Sequence, residues 1–297
     1  MILQGRIKEI SAVVPKNVVI NEDNPNFSKK HKLIFTKTTG IKQLHLCDND
    51  KINNISMAIE ACKPLVLSNI NMIICVTQTP EVTIPGLSHL IQNHFNLKCG
   101  CIDINGACNG FIQGLMVAYS LASKDIRTLL VFSENLSSIQ DKLNKNSLMF
   151  GDGAVAMTVE YSNIYSIFKI YSDGSRFKAV WKPSEYLLMD GEVVMDFVMN
   201  EVFESLKGFD FNEFDYFVPH QSNLFILKQL QRRLNIPDEK IVINIQKYGN
   251  TSAVSIPLAM VTEIPTGKLL TCGYGAGLNW GTCEFDFNPV KTFYYEF

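Results

Sequence analysis

The chain has 297 residues, 27 of them basic and 29 acidic, for a formal net charge of −2. So even a balance gives no electrostatic reason to bind duplex nucleic acid or an anionic membrane surface. At 46% hydrophobic and 19% charged residues, the composition excludes intrinsic disorder. No uninterrupted apolar run exceeds the five residues Met72–Val76, far short of the ~20 that a membrane-spanning helix needs. The opening MILQGRIKEIS interrupts its apolar residues with Gln4, Arg6, Lys8 and Glu9. No secretory leader is expected there, and the cytoplasm is the expected compartment. The eight cysteines are then expected as reduced thiols. Cys99 and Cys101 form a C-x-C, but no histidine or second pair stands at a zinc-ligand spacing, so no metal site is expected.

In chain order, β-rich apolar runs predict strands at Asn71–Val76, Cys101–Ile104, Thr128–Phe132 and Ala154–Val159. Helices are predicted between the first three, over Gly86–Phe95 and Cys108–Lys124. The second half repeats the rhythm, with strands at Tyr216–Val218, Ile241–Ile245, Lys268–Cys272 and Cys283–Phe287. Its helices are predicted over Asn223–Leu234 and Ser252–Thr262. Met72, Cys101 and Thr128 stand 29 and 27 residues apart, and Tyr216, Ile241 and Lys268 stand 25 and 27 apart, the span of a strand–helix–strand crossover. The expectation is an α/β fold with a mostly parallel, buried sheet. The matching order divides the chain into similar halves, residues 1–160 and 161–297. Residues 161–190, with Asp173-Gly174-Ser175 and Pro183-Ser184, read as connecting loops.

The stretch Phe111–Ala122 carries no charge and is apolar all round, which predicts a helix buried between layers. Just before it, Asn105-Gly106-Ala107-Cys108-Asn109-Gly110 sets a cysteine between glycines at the helix N-terminus. Free N–H groups and the helix dipole favour a thiolate there, and the glycines clear space for a substrate. The context fits a nucleophile about as well as it fits plain packing.

A thiol nucleophile needs partners. His31, His45, His89 and His94 lie in mixed segments without a companion motif and read as solvated or satisfied surface histidines. His220 instead follows a strand in Val218-Pro219-His220-Gln221-Ser222-Asn223. That is the carboxyl end of a strand, where open α/β sheets place their chemistry. Asn250 lies in another polar turn, Lys247–Ala253, and the glycine loop Gly273–Gly277 can turn its N–H groups towards a ligand.

With these residues in view, the chain resembles the β-ketoacyl-acyl carrier protein synthase III family. The resemblance rests on GACNGF around Cys108, FGDGA at Phe150–Ala154, PHQSN at Pro219–Asn223, GNTSA at Gly249–Ala253 and GYGAGLNWG at Gly273–Gly281. Thr39-Gly40-Ile41 and Met189-Asp190-Gly191 extend it over nearly the whole chain. The resemblance implies a thiolase fold, a duplicated five-layered αβαβα arrangement. It makes Cys108 the nucleophile, with His220 and Asn250 completing a triad, and the backbone N–H groups of Cys108 and Ala276 an oxyanion hole. It further implies substrate contacts at Ile84, Asn223, Gly275 and Gly277. Carrier-protein docking falls on Gln221, Phe225, Lys228, Arg232 and Arg233. The medium-sized Ile84, before Pro85, implies short acyl groups. A homodimer is implied too, with the apolar CGCIDI strand (Cys99–Ile104) near its two-fold axis.

The implied chemistry loads an acyl group from a thioester onto Cys108 and condenses it with a malonyl group on acyl carrier protein after loss of carbon dioxide. His220 and Asn250 donate to the enolate oxygen, and neither a metal nor an organic cofactor is implied; coenzyme A and carrier thioesters are the substrates. Two alternatives stay open: an acyltransferase of the same fold that passes the acyl group to oxygen, nitrogen or sulfur, and a papain-like hydrolase. The chain also departs from the family pattern. Ile34 and Thr38 stand where a tryptophan and an arginine usually grip the adenine of coenzyme A, and Phe225 replaces a carrier-contacting arginine. Lys37, Lys42 or Lys145 are candidates to hold the phosphates instead.

Overall fold

The computed structural model describes residues 1–48 and 51–297. Nine strands join in one hydrogen-bonded sheet: β1 (Ile2–Val14), β2 (Met72–Val76), β3 (Gly100–Ile104), β4 (Thr128–Glu134), β5 (Gly153–Ser172), β6 (Tyr216–Pro219), β7 (Gly267–Gly275), β8 (Asn279–Phe287) and β9 (Lys291–Glu296). Their spatial order is β6-β7-β8-β5-β4-β2-β3, with β1 along β5 and β9 along β1. β2 runs parallel to β3 and β4, and β6 to β7. The pairs β4–β5, β5–β8 and β7–β8 are antiparallel. The sheet is therefore mixed, not mostly parallel.

β5 explains the mixture. Its first stretch, Gly153–Val159, pairs with β4, and its last, Ile167–Ser172, pairs with β8. β1 lies antiparallel beside both stretches, through two register shifts. Residue 160 thus falls inside a strand, and residues 161–172, expected as loop, continue it.

Among the described residues, the helices of seven residues or more are α1 (Lys29–Thr39), α2 (Asn54–Cys62), α3 (Leu87–His94), α4 (Gly110–Leu121), α5 (Gly191–Phe197), α6 (Leu224–Arg233) and α7 (Ser255–Thr262). Strand side chains alternate between faces, and the core sorts accordingly. Ile73 and Cys75 of β2 pack outwards with Met57 and Ala61 of α2 and Ile91 of α3. Ile74 and Val76 point the other way, onto Phe111 and Leu115 of α4 and onto α7. Beyond those two helices lie Val218, Leu269 and Phe285 of the second half. Its outer face, with Phe217 and Leu270, is covered by Phe197 of α5 and by Ile226 and Leu230 of α6. The layers run αβαβα. The all-round apolar α4 sits in the middle one, where Phe111 lies 5.6 Å from the Phe132 ring and 6.4 Å from Phe285.

One expected strand does not form. Ile241 makes an isolated bridge to Phe217, and Ile245–Tyr248 turns helical. The Gln221 side chain takes the place of a neighbouring strand, donating to the Val242 carbonyl and accepting from the Asn244 N–H. Among the described residues, no helix is long and apolar enough to cross a membrane.

Candidate active site

After β3 the chain makes one tight turn, Ala107–Asn109, before entering α4. Ala107 has φ +45°, a left-handed conformation rare outside glycine and costing about 1–3 kcal/mol. The turn presents Cys108 to a cavity of about 130 Å³ that also holds His220, Asn250 and the loop residues Gly275 and Ala276. Its other walls are largely apolar, among them Leu187, Met189, Val194, Met195 and Phe197.

The thiolate expected of Cys108 is not its resting form. Burial pushes the thiol up to about 12, and the nearby carboxyl of Glu134 adds to the rise. A helix N-terminus offers at most ~2 kcal/mol, or about 1.5 pH units. Burial wins, and Cys108 waits as a thiol. One contact opposes it: Ser252 Oγ donates to Cys108 Sγ at 3.4 Å.

His220 stands at the end of β6, its N–H bonded to the Cys272 carbonyl at 2.8 Å. Its Nδ1 lies 2.6 Å from Ser255 Oγ, at the start of α7. The same oxygen accepts the Gln221 N–H at 3.4 Å, so its own proton is free to donate to Nδ1. The ring proton then sits on Nε2. Burial lowers His220 to about 3, which keeps the imidazole neutral at pH 7. The Tyr274 ring stands edge-on at 5.1 Å, its hydroxyl tied to Ser222 Oγ at 2.7 Å.

Asn250 is 5% exposed, and its side-chain oxygen accepts the Ser252 N–H at 2.8 Å. The amide NH₂ is what remains for a ligand. Met149 and Gly151, on either side of Phe150, clamp its backbone: Asn250 N–H donates to the Met149 carbonyl at 2.9 Å and Gly151 N–H to the Asn250 carbonyl at 3.2 Å. A Cβ on Gly151 would lie 2.3 Å from the Tyr248 carbonyl oxygen, so this fit demands glycine. Across the cavity, the three-residue link between β7 and β8 carries Ala276, with Gly275 packed against Cys108.

The other expected site residues divide. Asn223 caps α6 through the Ile226 N–H and lines the cavity. Gly277, at φ +140°, shapes the β7–β8 link but does not line the cavity. Ile84 is 88% exposed and lies outside the cavity of its own chain, because its loop runs along the molecule's edge beside β3. Gln221 is no docking residue: it is 1% exposed, and its amide is consumed by Pro219, Val242 and Asn244. Phe225, Lys228 and Arg232 are exposed on α6, while Arg233 stacks 3.8 Å over the Phe203 ring and bonds the Met199 carbonyl. His45 is also corrected, being buried, bonded to the Pro15 carbonyl and stacked on Tyr248. The sequence reading missed Ser255, Ser252 and Gln78; the first two lie within or just beyond GNTSA, which was the available signal.

A groove leads to the cavity and shares Met149, Met189, Gly191 and Asn223 with it. Ile34 and Thr38 of α1 line it with His31, Leu143 and Lys145; Lys37 and Lys42 do not.

Comparison with known proteins agrees with this architecture. Residues 102–174 match the family model described as 3-oxoacyl-[acyl-carrier-protein (ACP)] synthase III, and residues 206–287 match its C-terminal counterpart. The β-ketoacyl-[acyl-carrier-protein] synthase III 1 of Bacillus cereus is 33% identical over 92% of this chain and 95% of its own length. Among solved structures, a 3-oxoacyl-(acyl-carrier protein) synthase from Burkholderia xenovorans superposes with a TM-score of 0.95 at 26% identity, covering 100% of this chain and 98% of that one. The 3-oxoacyl-[acyl-carrier-protein] synthase III of Aquifex aeolicus does so at 0.86 and 30% identity, covering 95% and 100%. Fold, motifs and relatives converge, and the chain belongs to the β-ketoacyl-[acyl-carrier-protein] synthase III family of thiolase-fold condensing enzymes.

Proposed function

We propose that this enzyme is an acyltransferase that loads an acyl group on Cys108 and condenses it with a malonyl group carried by acyl carrier protein. The observation that carries the reading is the meeting of Cys108, a neutral His220 and the free amide of Asn250 in one largely apolar cavity. Sulfur attacks the thioester carbonyl, and its proton leaves with the departing thiol, so no strong base is needed. The Cys108 and Ala276 N–H groups hold the oxyanion. Loss of carbon dioxide from the malonyl thioester then leaves an enolate, and the His220 Nε2–H and the Asn250 amide donate to its oxygen. The enolate carbon attacks the acyl-enzyme, and Cys108 departs as a thiolate that takes a proton from solvent. A papain-like hydrolysis has no support in this αβαβα scaffold.

The groove favours a carrier-borne donor. Ile34 and Thr38 offer neither an aromatic face nor a guanidinium to an adenine, and the exposed Lys228 and Arg232 remain for an acidic carrier. A lost base stack weakens binding by ~1–3 kcal/mol, or roughly 5- to 150-fold. The same departure keeps a second reading in view, transfer of the acyl group to a small oxygen, nitrogen or sulfur nucleophile. Intact-mass analysis separates the readings. Acetyl-carrier is expected to acylate the protein at lower concentration than acetyl-coenzyme A. Malonyl-carrier is then expected to discharge the acetyl group into a 3-oxoacyl product. Discharge by amines or alcohols alone, with no carbon–carbon product, would overturn the condensation.

A C₂ homodimer is part of the proposal. β3 is the last strand on its side of the sheet, with half-buried Cys101, Ile102 and Ile104, and an open edge of this kind invites pairing. Gly86 abuts Asp103 of that strand, so pairing there would bring the exposed Ile84 loop near the partner. Light scattering at micromolar protein is expected to give twice the chain mass; the single-chain mass would refute it. The reduced nucleophile fits a cytoplasmic enzyme.

A further inference from the structure

Cys108 is reached by a hydrogen-bond chain from a segment that contributes no member of the triad. Gln78 follows β2 and lines the cavity. Its Nε2 donates to Ser252 Oγ at 2.6 Å, and Ser252 Oγ donates to Cys108 Sγ at 3.4 Å. A hydroxyl has one proton. With the Gln78 amide filling an acceptor position on its oxygen, that proton is directed at sulfur, and accepting one bond strengthens the donation of the other.

Both links are anchored. The Gln78 N–H rests on the buried Glu134 carboxyl at 3.3 Å, which also accepts the Thr79 hydroxyl at 2.8 Å. Ser252 is 1% exposed and held at φ +52°, with its own N–H on the Asn250 side chain. A non-glycine residue fixed in that conformation beside a nucleophile carries strain of the kind found at functional sites.

We propose that Gln78 and Ser252 are positioning residues that aim one hydroxyl proton at the Cys108 sulfur and stabilise the thiolate. This rests on the reading of Cys108 as the acyl-carrying nucleophile. Sulfur is negative twice in that cycle: when the thiol gives up the proton that leaves with the departing thiol, and when the carbon–sulfur bond of the acyl-enzyme breaks and its electron pair returns to sulfur. The Ser252 proton stays on its oxygen throughout. Burial and the Glu134 carboxyl act against the thiolate, so this bond is the side-chain donor placed to offset them.

The test is the rate of Cys108 alkylation by iodoacetamide, followed by peptide mass mapping from about pH 7 to 9.5, where the thiolate fraction sets the rate. Ser252→Ala and Gln78→Ala are each expected to alkylate about tenfold more slowly at every pH, as for a lost hydrogen bond to a charged atom. Gln78→Glu is expected to match them with Ser252 intact, because its carboxylate draws the hydroxyl proton away. The double variant is expected to be no slower than Ser252→Ala, since Gln78 acts only through Ser252. Rates equal to the parent in the single variants, or additive losses in the double one, overturn the proposal. If Ser252→Ala does not fold, the two Gln78 variants, at a partly exposed position, still decide it. Iodoacetamide is no thioester, so the result holds whichever acyl donor or acceptor the enzyme uses. Slower alkylation with acyl transfer unchanged would keep the sulfur contact and count against Cys108 as the acyl-carrying nucleophile, whereas unchanged alkylation overturns the contact whatever happens to acyl transfer.

Discussion

Cys108→Ala is expected to show no mass gain with any acyl thioester, a fall in condensation on the order of 10⁴-fold or more. The side chain is one of eight free thiols, and mapping the parent is expected to place the acyl group on Cys108 alone. Cys62, Cys75, Cys272 and Cys283 are buried in the core, where burial raises their thiols with no cavity to admit a thioester. Alanine removes one sulfur from the cavity wall and leaves α4 and its packing in place, so the melting curve is expected to stay near that of the parent. In the proposed cycle, decarboxylation of a malonyl thioester draws on the His220 and Asn250 donors and not on sulfur, so it is expected to continue. An acylated Cys108→Ala protein would move the nucleophile elsewhere and end this account of the site.

Gly275→Ala is expected to lower acylation on the order of 10²-fold. A Cβ there would come to 2.7 Å from Cys108 Cβ, 3.2 Å from its sulfur and 3.3 Å from its N–H nitrogen. The first distance is shorter than nonbonded carbons allow, so either the β7–β8 link or the nucleophile's turn must move. Moving the link shifts the Ala276 N–H; moving the turn shifts sulfur and the other oxyanion donor together. Misplacement of a reacting atom by about 1 Å costs this order of rate. Acylation kinetics read beside a thermal melt provide the check, with a well-folded variant acylating within twofold of the parent as the contrary result.

Much of the site was legible because chemistry confines it to short segments. Cys108 and His220 each follow a strand, Asn250 sits in a polar turn after the short helix Ile245–Tyr248, and all three meet at the cavity. The central helix was legible too, since Phe111–Ala122 offers no polar side to water. What escaped the sequence depends on long-range pairing. β1 alternates Leu3, Gly5 and Ile7 with Gln4, Arg6 and Lys8 but breaks step at Glu9, and its partners β5 and β9 come from distant parts of the chain. The IVINI run has strand composition, yet a single side chain, Gln221, takes the bonds a neighbour would need. Gln221 itself read as a surface residue from its motif, and its burial emerges only when those two segments meet. Ser255 lies just beyond GNTSA, but the motif alone does not show that its hydroxyl meets His220, 35 residues away.

The 20-residue β5 has a consequence for how the molecule lives and dies as a polymer. One continuous backbone segment is an inner member of both halves, and the amino-terminal strand is laid along nearly all of it. Neither half can complete its hydrogen bonding without the other's residues, and their pairings link distant positions, Met1 with Phe168 and Glu9 with Lys291 among them. Such non-local closure is slow to form. The duplication visible in the architecture is therefore not a modular one: the two repeats share an indivisible seam and assemble as one cooperative body.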